Sequence, residues 1–164
     1  MHDILTLLYC CGAGIASPAP TWWFDAVTRM CDTVIPGHPS VDYFEDPIVI
    51  VSFFHSKFEP TTFDMNTVIG RFMHEEADTS TKVWGPSAWN LLHNLAQGEQ
   101  YRQVGTLLEC WALLLPCGAC RQHLKAHVEC TEIKPTTRAE SHDYTVLLHN
   151  AVNLQLGKPL YDPS

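Results

Sequence analysis

The C-terminal half of the chain contains four amphipathic segments, each long enough for a helix and separated from the next by a short connection. Apolar residues recur within them at helical spacing. Pro86 suits the first turn of a helix, Pro116 ends one helix and begins another, and Gly157 ends the last. The predicted helices run from about Pro86 to Gln97, from Tyr101 to Leu115, from Cys117 to Val128, and from Glu140 to Leu156. Four such helices with short links predict a mostly α fold of the helical-bundle class.

The N-terminal half has a different character. A polar break at Thr79–Lys82 divides the chain into an extension, residues 1–80, and a bundle domain, residues 81–164. Ile48–Phe54 is rich in β-branched and aromatic residues, which predicts a short strand, and Phe63–Glu76 is a candidate helix. Ile4–Ala16 is apolar but has no positively charged residues before it, so we expect a buried N-terminal helix and not a cleaved signal peptide.

Composition and charge exclude several classes of protein. Apolar residues make up 46% of the 164 residues and charged residues 17%, which is typical of a globular domain. The formal net charge is −8 and no basic run occurs, so nucleic acid is not expected as a partner. No apolar run reaches the roughly 18 residues that a membrane-spanning helix needs.

Cysteine is the residue type most indicative of chemistry. There are seven, at Cys10, Cys11, Cys31, Cys110, Cys117, Cys120 and Cys130, and an odd number leaves at least one thiol free, metal-bound or paired between chains. Cys117 and Cys120 lie at the predicted start of the third helix, where backbone N–H groups stabilise a thiolate, so this pair could form an exchangeable disulfide. The alternative is part of a zinc site that His123, His127 and Cys130 could complete. This segment alone leaves both open.

Two groups of side chains could contact a ligand. His149, Asn150 and Asn153 lie within an arc of about 100° on the fourth helix, where they form either a ligand-binding patch or a strip facing solvent. Trp89 and His93 share one face of the first helix, which suits stacking on a planar ring or, alternatively, packing in the core. The core stripe of the fourth helix is predicted at Tyr144, Leu148, Ala151 and Val152.

Three sequence blocks follow one another in the C-terminal half: WGPSAWNLLH at 84–93, LPCGAC at 115–120, and HNAVN at 149–153 followed by LGKPLYD at 156–162. In order and spacing, over about the last eighty residues, they resemble the Erv/ALR family of FAD-linked sulfhydryl oxidases. The Trp-Gly-Pro-x-x-Trp form of the first block looks more like the versions found in large DNA viruses than like the usual Gly-Arg form.

The resemblance implies a four-helix bundle that binds FAD, usually as a homodimer. Cys117 and Cys120 would be the catalytic pair, forming disulfides in thiol-containing protein substrates. Electrons would pass through this pair and FAD to molecular oxygen, giving hydrogen peroxide. Trp89 and His93 would contact the flavin. The adenine, ribose and phosphate portions would be held by the polar side chains of the tail block, with an aromatic ring packed nearby: His149, Asn150, Asn153, Lys158 and Tyr161.

The sequence departs from the family pattern at two places. Many members have a structural disulfide between the region of Cys130 and a cysteine at the position that Val146 occupies here. We therefore expect Cys130 to be a buried thiol, with a bond to Cys110 as the alternative. The other departure is the extension, residues 1–80, which resembles nothing in the family's bundle.

The extension has three possible roles. Family members often carry a shuttle cysteine pair outside the bundle, and Cys10, Cys11 and Cys31 are the candidates here. A structural disulfide or free thiols are equally open, and the extension could instead enlarge a dimer interface. The expected setting is an intracellular disulfide-forming pathway, in the host cytoplasm or the virion if the chain is viral.

Two other classes of protein compete with the oxidase. One is a zinc-binding interaction module that uses Cys117, Cys120, Cys130 and a histidine, although it leaves the tail block unexplained. The other is a thioredoxin-like exchanger, suggested by Trp111 and the cysteine pair. That fold needs a strand before the motif, whereas the preceding residues continue a helical pattern.

Overall fold

A computed structural model describes residues 2–13, 15, 18–35, 37, 46–58, 61, 64–66 and 80–164. Seven α-helices and one short 3₁₀ helix have their bounds within these residues, which contain no strand. The α-helices are α1 (His2–Gly12), α2 (Thr21–Val34), α3 (Pro47–Phe58), α4 (Thr81–Gln97), α5 (Val104–Leu114), α6 (Gly118–Cys130) and α7 (Arg138–Gln155), and the 3₁₀ helix is Tyr101–Gln103. The predicted mostly α fold is confirmed.

Helix α4 begins earlier than predicted. It starts at Thr81, so Pro86 lies inside the helix, and its predicted place in the first turn is wrong. Trp84 is only 5% exposed, so burial of its indole favours the additional N-terminal turn. Gly85 precedes the proline and has no Cβ, which removes part of the clash that disfavours helical backbone before proline.

The buried face of α7 is polar. Ser141, Thr145 and Asn153 are its buried residues, whereas Ala151, predicted in the core stripe, is exposed. Tyr144 and Leu148, also predicted there, are half-buried against the core. The predicted stripe is therefore only partly right, because α7 packs beside α4 through small polar side chains.

The start of α7 is fixed by a reciprocal set of hydrogen bonds. Thr137 is the N-cap and its hydroxyl oxygen accepts a hydrogen bond from the Glu140 backbone N–H at 3.1 Å. The Glu140 carboxylate accepts hydrogen bonds from the backbone N–H and the hydroxyl of Thr136 at 2.8 and 2.7 Å. Ser141 donates to the Tyr101 carbonyl oxygen at 3.0 Å. These contacts orient α7 over the 3₁₀ helix and so position the side chains farther along it.

The N-terminal helices share one core with the bundle helices. Helix α1 packs on α4, and α2 packs on α5. Trp23 of α2 is fully buried, and its indole N–H donates to the Cys11 carbonyl oxygen at 3.2 Å. The Trp111 indole of α5 donates to the Met30 sulfur of α2 at 3.3 Å. The predicted buried N-terminal helix is confirmed as α1, whose Ile4 side chain is 1% exposed.

The predicted strand at Ile48–Phe54 is wrong, because these residues lie in helix α3. Pro47 occupies the first helical position, and the Asp46 carboxylate accepts a hydrogen bond from the Ile48 backbone N–H at 2.9 Å, as an N-cap does. A short apolar run does not distinguish a strand from a buried helix. The β-branched residues in this run favour the prediction of a strand, which is wrong here.

The candidate helix at Phe63–Glu76 falls almost wholly outside the described residues. Of the residues that the structure describes, none forms a helix long and apolar enough to cross a membrane.

Candidate active site

The cysteine pair forms a disulfide at the start of a helix. Cys117 and Cys120 are bonded through their sulfurs, and their Cα atoms are 5.2 Å apart. Cys117 is the N-cap of α6, and its sulfur accepts a hydrogen bond from the Cys120 backbone N–H at 3.1 Å. Leu115 and Pro116 form the turn between α5 and α6. On reduction, the helix N-terminus would stabilise a Cys117 thiolate, which lowers the thiol pKa and makes the sulfur a good leaving group.

Arg121 fixes the turn that carries the disulfide. Its backbone N–H donates to the Cys117 carbonyl oxygen at 3.0 Å, and its guanidinium donates to the Leu115 carbonyl oxygen. One side chain thus joins the end of α5 to the first turn of α6. The sequence analysis did not single out this residue, because its position beside Cys120 does not reveal the carbonyl that it contacts.

Four aromatic rings converge between α4, α7 and the C-terminal tail. The ring centroids of Trp89 and His149 are 3.9 Å apart and their planes differ by 8°. Those of His93 and Tyr161 are 4.5 Å apart, with planes 12° apart. The His149 and Tyr161 centroids are separated by 4.6 Å. The structure therefore brings together the four ring-bearing residues that the sequence predicted as cofactor contacts.

The hydrogen bonds around His93 determine which nitrogens carry protons. The Thr145 hydroxyl donates to the His142 carbonyl oxygen at 2.8 Å, so it must accept from His93 Nδ1, 3.1 Å away. His93 Nε2, in a neutral ring, then accepts from His149 Nδ1 at 2.9 Å. This leaves His149 Nε2 as a hydrogen-bond acceptor for a ligand.

Both imidazoles are held neutral. Burial, followed by the charges of His93 and Lys158, lowers the pKa of His149 from its ordinary value of 6.5 to about 4. Burial, followed by the charge of His142, lowers the pKa of His93. Uncharged, parallel rings present faces that a planar aromatic ligand can stack on without a cost in desolvated charge.

Asn150 ties the tail to α7. Its side-chain oxygen accepts a hydrogen bond from the Tyr161 backbone N–H at 2.7 Å, and its amide donates to the Tyr161 carbonyl oxygen at 3.3 Å. Gly157 turns the chain with φ +65°, and the Lys158 backbone N–H donates to the Asn153 carbonyl oxygen at 2.8 Å. Asn150 therefore acts on the ring cluster through the placement of Tyr161, a role that spacing along the helix does not reveal.

This set of groups fits the FAD that the resemblance implies. The ring cluster offers parallel aromatic rings for a planar heterocycle, and the buried face of α7 offers a polar partner at Asn153. The ammonium group of Lys158 lies within electrostatic reach of His149 and could pair with a phosphate. Aromatic faces, polar partners and a cation are the groups that a dinucleotide requires.

The zinc alternative is not supported, because its candidate ligands do not converge. No group of three or more His, Cys, Asp or Glu side chains in the described part of the chain is arranged to hold a metal ion. Cys130 lies at the opposite end of α6 from the disulfide, about 18 Å away at the rise of an α-helix. His127 donates to or accepts from the Tyr144 hydroxyl at 2.6 Å instead. The thioredoxin-like alternative fails because helix α5, not a strand, precedes the motif.

The remaining cysteines differ in exposure. Cys130 is exposed, so the prediction of a buried thiol there is wrong; α6 has no fully buried residue that could carry its last turn into the core. Cys10, Cys11 and Cys31 are buried and are not in disulfides. Burial raises the pKa of both Cys11 and Cys31, which disfavours their thiolates. A shuttle role for these three stays a prediction.

A helical bundle with a CxxC disulfide at one helix start and a cluster of aromatic rings between two other helices is the arrangement of a thiol–disulfide redox domain. Residues 86–164, slightly less than half of the chain, match the model of the Erv1 / Alr family.

Similar proteins carry related names. Over 84 residues the chain is 30% identical to the FAD-linked sulfhydryl oxidase ERV1 of Oryza sativa subsp. japonica, covering 47% of this chain and 43% of that protein. Over 92 residues it is 27% identical to the FAD-linked sulfhydryl oxidase ERV2 of Saccharomyces cerevisiae, covering 52% and 47%. It is 30% identical over 87 residues to the putative FAD-linked sulfhydryl oxidase 096R of Invertebrate iridescent virus 3, covering 48% and 59%.

The match thus spans about half the length of these three relatives. No solved structure matches the chain.

Proposed function

We propose that the chain is a flavin-linked thiol oxidase, which forms disulfides in thiol-containing protein substrates with FAD as cofactor. The observation that carries this proposal is the disulfide at the N-terminus of α6, in the same helical domain as the parallel rings of Trp89 and His149. The relatives' names support the activity. Molecular oxygen is the proposed final acceptor, and hydrogen peroxide the product.

The thiol step is an exchange that conserves electrons. A substrate thiolate attacks the Cys117 sulfur, the Cys117–Cys120 bond breaks, and Cys120 leaves as a thiolate. A second substrate thiolate then attacks the substrate sulfur in the mixed disulfide and releases Cys117. The substrate loses two electrons and two protons, and the Cys117–Cys120 pair gains the two electrons. The N-cap position of Cys117 stabilises the thiolate that is released in the second step.

The ring cluster would hold the cofactor. Trp89, His93, His149 and Tyr161 supply faces for stacking, and Asn153 with Lys158 supplies polar and cationic partners. When bound, FAD supplies a two-electron acceptor that molecular oxygen can reoxidise. The protein would keep both histidines uncharged and their rings parallel, so that the ring cluster is ordered before the cofactor binds.

The test is the visible absorption spectrum of the purified protein, before and after dithiothreitol is added in air. We expect a flavin band that bleaches with thiol while peroxide accumulates. Cys120→Ser should bind FAD but should not be reduced by dithiol. Cys130→Ser, which changes an exposed cysteine away from the site, should behave as the unaltered protein. A colourless protein that consumes no oxygen, or normal turnover by Cys120→Ser, would overturn the proposal.

Homodimerisation and the setting of the protein stay predictions. Light scattering after size-exclusion chromatography gives the mass of the assembly directly, and a value of one chain would contradict the homodimer.

A further inference from the structure

A cavity of about 630 Å³ lies between the N-terminal helices and the turn that carries the disulfide. Its walls come from the end of α1, the beginning of α2, and the segment from Leu113 to Pro116. The volume falls within the range of about 300–1,000 Å³ that is typical of ligand sites. Its walls come from three segments distant in sequence, so no local pattern in the sequence indicates it.

The cavity adjoins the reactive disulfide directly. Leu115 and Pro116, which line it, immediately precede Cys117, and Arg121, which also lines it, immediately follows Cys120. Consecutive Cα atoms are about 3.8 Å apart. A molecule in the cavity therefore contacts the residues that flank the disulfide in the chain, Pro116 before Cys117 and Arg121 after Cys120.

The rim of the cavity is apolar and accessible. Trp22 on α2 is 50% exposed, and Leu113 on α5 is 51% exposed. Deeper in the cavity, the wall includes Trp23, Cys10 and Cys11, which are all buried. An apolar group that covers these half-exposed side chains would remove apolar surface from water and so would bind favourably.

Arg121 supplies a positive charge in the wall of the cavity. Among the described residues that line the cavity it is the only one with a charged side chain. Burial raises the pKa of Cys11, which also lines the cavity, and the positive charge of Arg121 opposes that shift. A guanidinium in an apolar cavity attracts an anion, and the nucleophile of thiol exchange is an anionic sulfur. The chain as a whole carries a net charge of −8, so this local cation offsets the repulsion that a thiolate would otherwise meet.

We propose that this cavity is the substrate site, and that it receives a polypeptide cysteine flanked by an apolar side chain. The apolar side chain lies between Trp22 and Leu113, and the substrate thiolate lies beside Arg121, from where it attacks the Cys117 sulfur. The site rests on the proposed oxidase function and adds to it a class of substrate: cysteine next to a leucine or an aromatic residue. The bond changes are those of the exchange already described, with no additional oxidant.

The first test needs no variant. Oxygen consumption is measured with dithiothreitol and with two synthetic dithiol peptides, which differ only in a leucine or a serine beside the first cysteine. We expect kcat/KM to be about tenfold higher for the leucine peptide, from burial of one side chain. Equal values for the two peptides would overturn the substrate site but leave the oxidase. Inactivity with dithiothreitol as well would overturn the oxidase and the site together.

The second test compares two exposed leucines. Leu113→Glu should remove the preference for the leucine peptide, measured as the ratio of kcat/KM for the two peptides. Leu147→Glu, on α7 and 70% exposed, should retain the preference. An equal loss with both substrates in Leu113→Glu would show a general defect and would contradict the site.

The third test separates the charge of Arg121 from its structural bond. In Arg121→Gln the rising limb of the pH profile of kcat should move to higher pH, because the bound substrate thiol loses the cation that favours its ionisation. Arg121→Lys should restore the original profile. A pH profile that is unchanged in Arg121→Gln would show that the guanidinium serves only the Leu115 carbonyl.

Discussion

The proton positions in the His93–His149 pair follow from one hydroxyl. Because the Thr145 hydroxyl donates to a backbone carbonyl, it can only accept a hydrogen bond from His93 Nδ1. In the neutral pair, His93 Nε2 is then an acceptor and His149 Nδ1 carries the proton. A proton added to His93 Nε2 would leave two facing donors on the pair, and a proton added to His149 Nε2 would place a charge between stacked rings. Protonation of the His93–His149 pair therefore sets a lower pH limit for the ordered ring cluster.

We predict that the pair makes the fold acid-sensitive. The folded-state pKa of His149, about 4, lies below the ordinary value of 6.5, so the unfolded chain takes up the proton first as pH falls. The contribution to the free energy of unfolding is present above pH 6.5 and is lost between pH 6.5 and 4. Urea midpoints at pH 7 and pH 5 should show this loss, and the loss should be smaller in His149→Gln. The same loss in both proteins would contradict the assignment.

A second prediction concerns Asn150. Asn150→Ala removes the two hydrogen bonds that hold Tyr161, each worth about 0.5–1.5 kcal/mol, so FAD should bind about tenfold more weakly or worse. Fluorescence titration of the apoprotein with FAD measures this. Asn94→Ala, an exposed amide on α4, is the control and should bind FAD normally. Unchanged affinity in Asn150→Ala would mean that the tail is held in some other way.

The sequence predicts most of the ring cluster but not the contacts that orient it. Trp89 and His93 share a helix face at i and i+4, and His149 belongs to a polar arc, so local spacing is sufficient for them. The bonds of Asn150 to the tail backbone and of Arg121 to the Leu115 carbonyl join residues through the tertiary fold. No periodicity encodes which carbonyl a side chain will reach.

Helix α5 approaches the backbone of the connection between α6 and α7 closely at Gly105. A Cβ added at Gly105 would lie 2.7 Å from the Ile133 carbonyl oxygen, a backbone atom in the connection between α6 and α7. The absence of a side chain at this position lets that connection cross α5 and bring α7 over the bundle.

We predict that Gly105→Ala destabilises the protein. Alanine should gain about 1 kcal/mol of helix propensity, but the overpacking cost of about 1–3 kcal/mol should exceed this gain. Chemical denaturation followed by circular dichroism measures the net loss. Gly118→Ala is the matched control, because its Cβ would meet only the end of the Arg121 side chain at an ordinary 3.6 Å. A Gly105→Ala protein as stable as the control would disprove the contact.

Helix boundaries show where sequence patterns are insufficient. The end of α5 and both ends of α6 and α7 agree with the predicted bounds to within two residues, because proline, glycine and polar caps mark them. Helix α5 starts three residues later than predicted, after the 3₁₀ helix. The start of α4 and the helical state of α3 were missed. In both cases burial against α1 determines the outcome, and a partner helix is not visible in the local sequence.

At the scale of the whole molecule, the extension and the bundle bury their apolar side chains in one cluster. The Arg29–Glu109 ion pair, at 2.7 Å, and the Trp111–Met30 hydrogen bond join α2 to α5 on the same interface. The division of the chain at residue 80 into an extension and a bundle domain stays a prediction. The two parts are separate folding units only if the bundle stays folded when the extension unfolds.

We predict that the two halves unfold together. Trp23→Ala, in α2, should cost about 3–5 kcal/mol and should lower the stability of the C-terminal half by the same amount. Urea unfolding followed by far-UV circular dichroism and by flavin release should give coincident transitions. Trp22→Ala, a half-exposed neighbour, should change stability by less than about 1 kcal/mol. Separate transitions would show that the extension is an independent unit.

The bond between Trp111 and Met30 has a consequence for chemical durability. Under the proposed function the protein is exposed to the hydrogen peroxide that it would release, and peroxide converts methionine to a polar sulfoxide. The sulfur of Met30 is fully buried and already accepts a hydrogen bond, whereas Met65 is 44% exposed. Damage during turnover should therefore accumulate at the surface first, while the interface between α2 and α5 stays chemically intact.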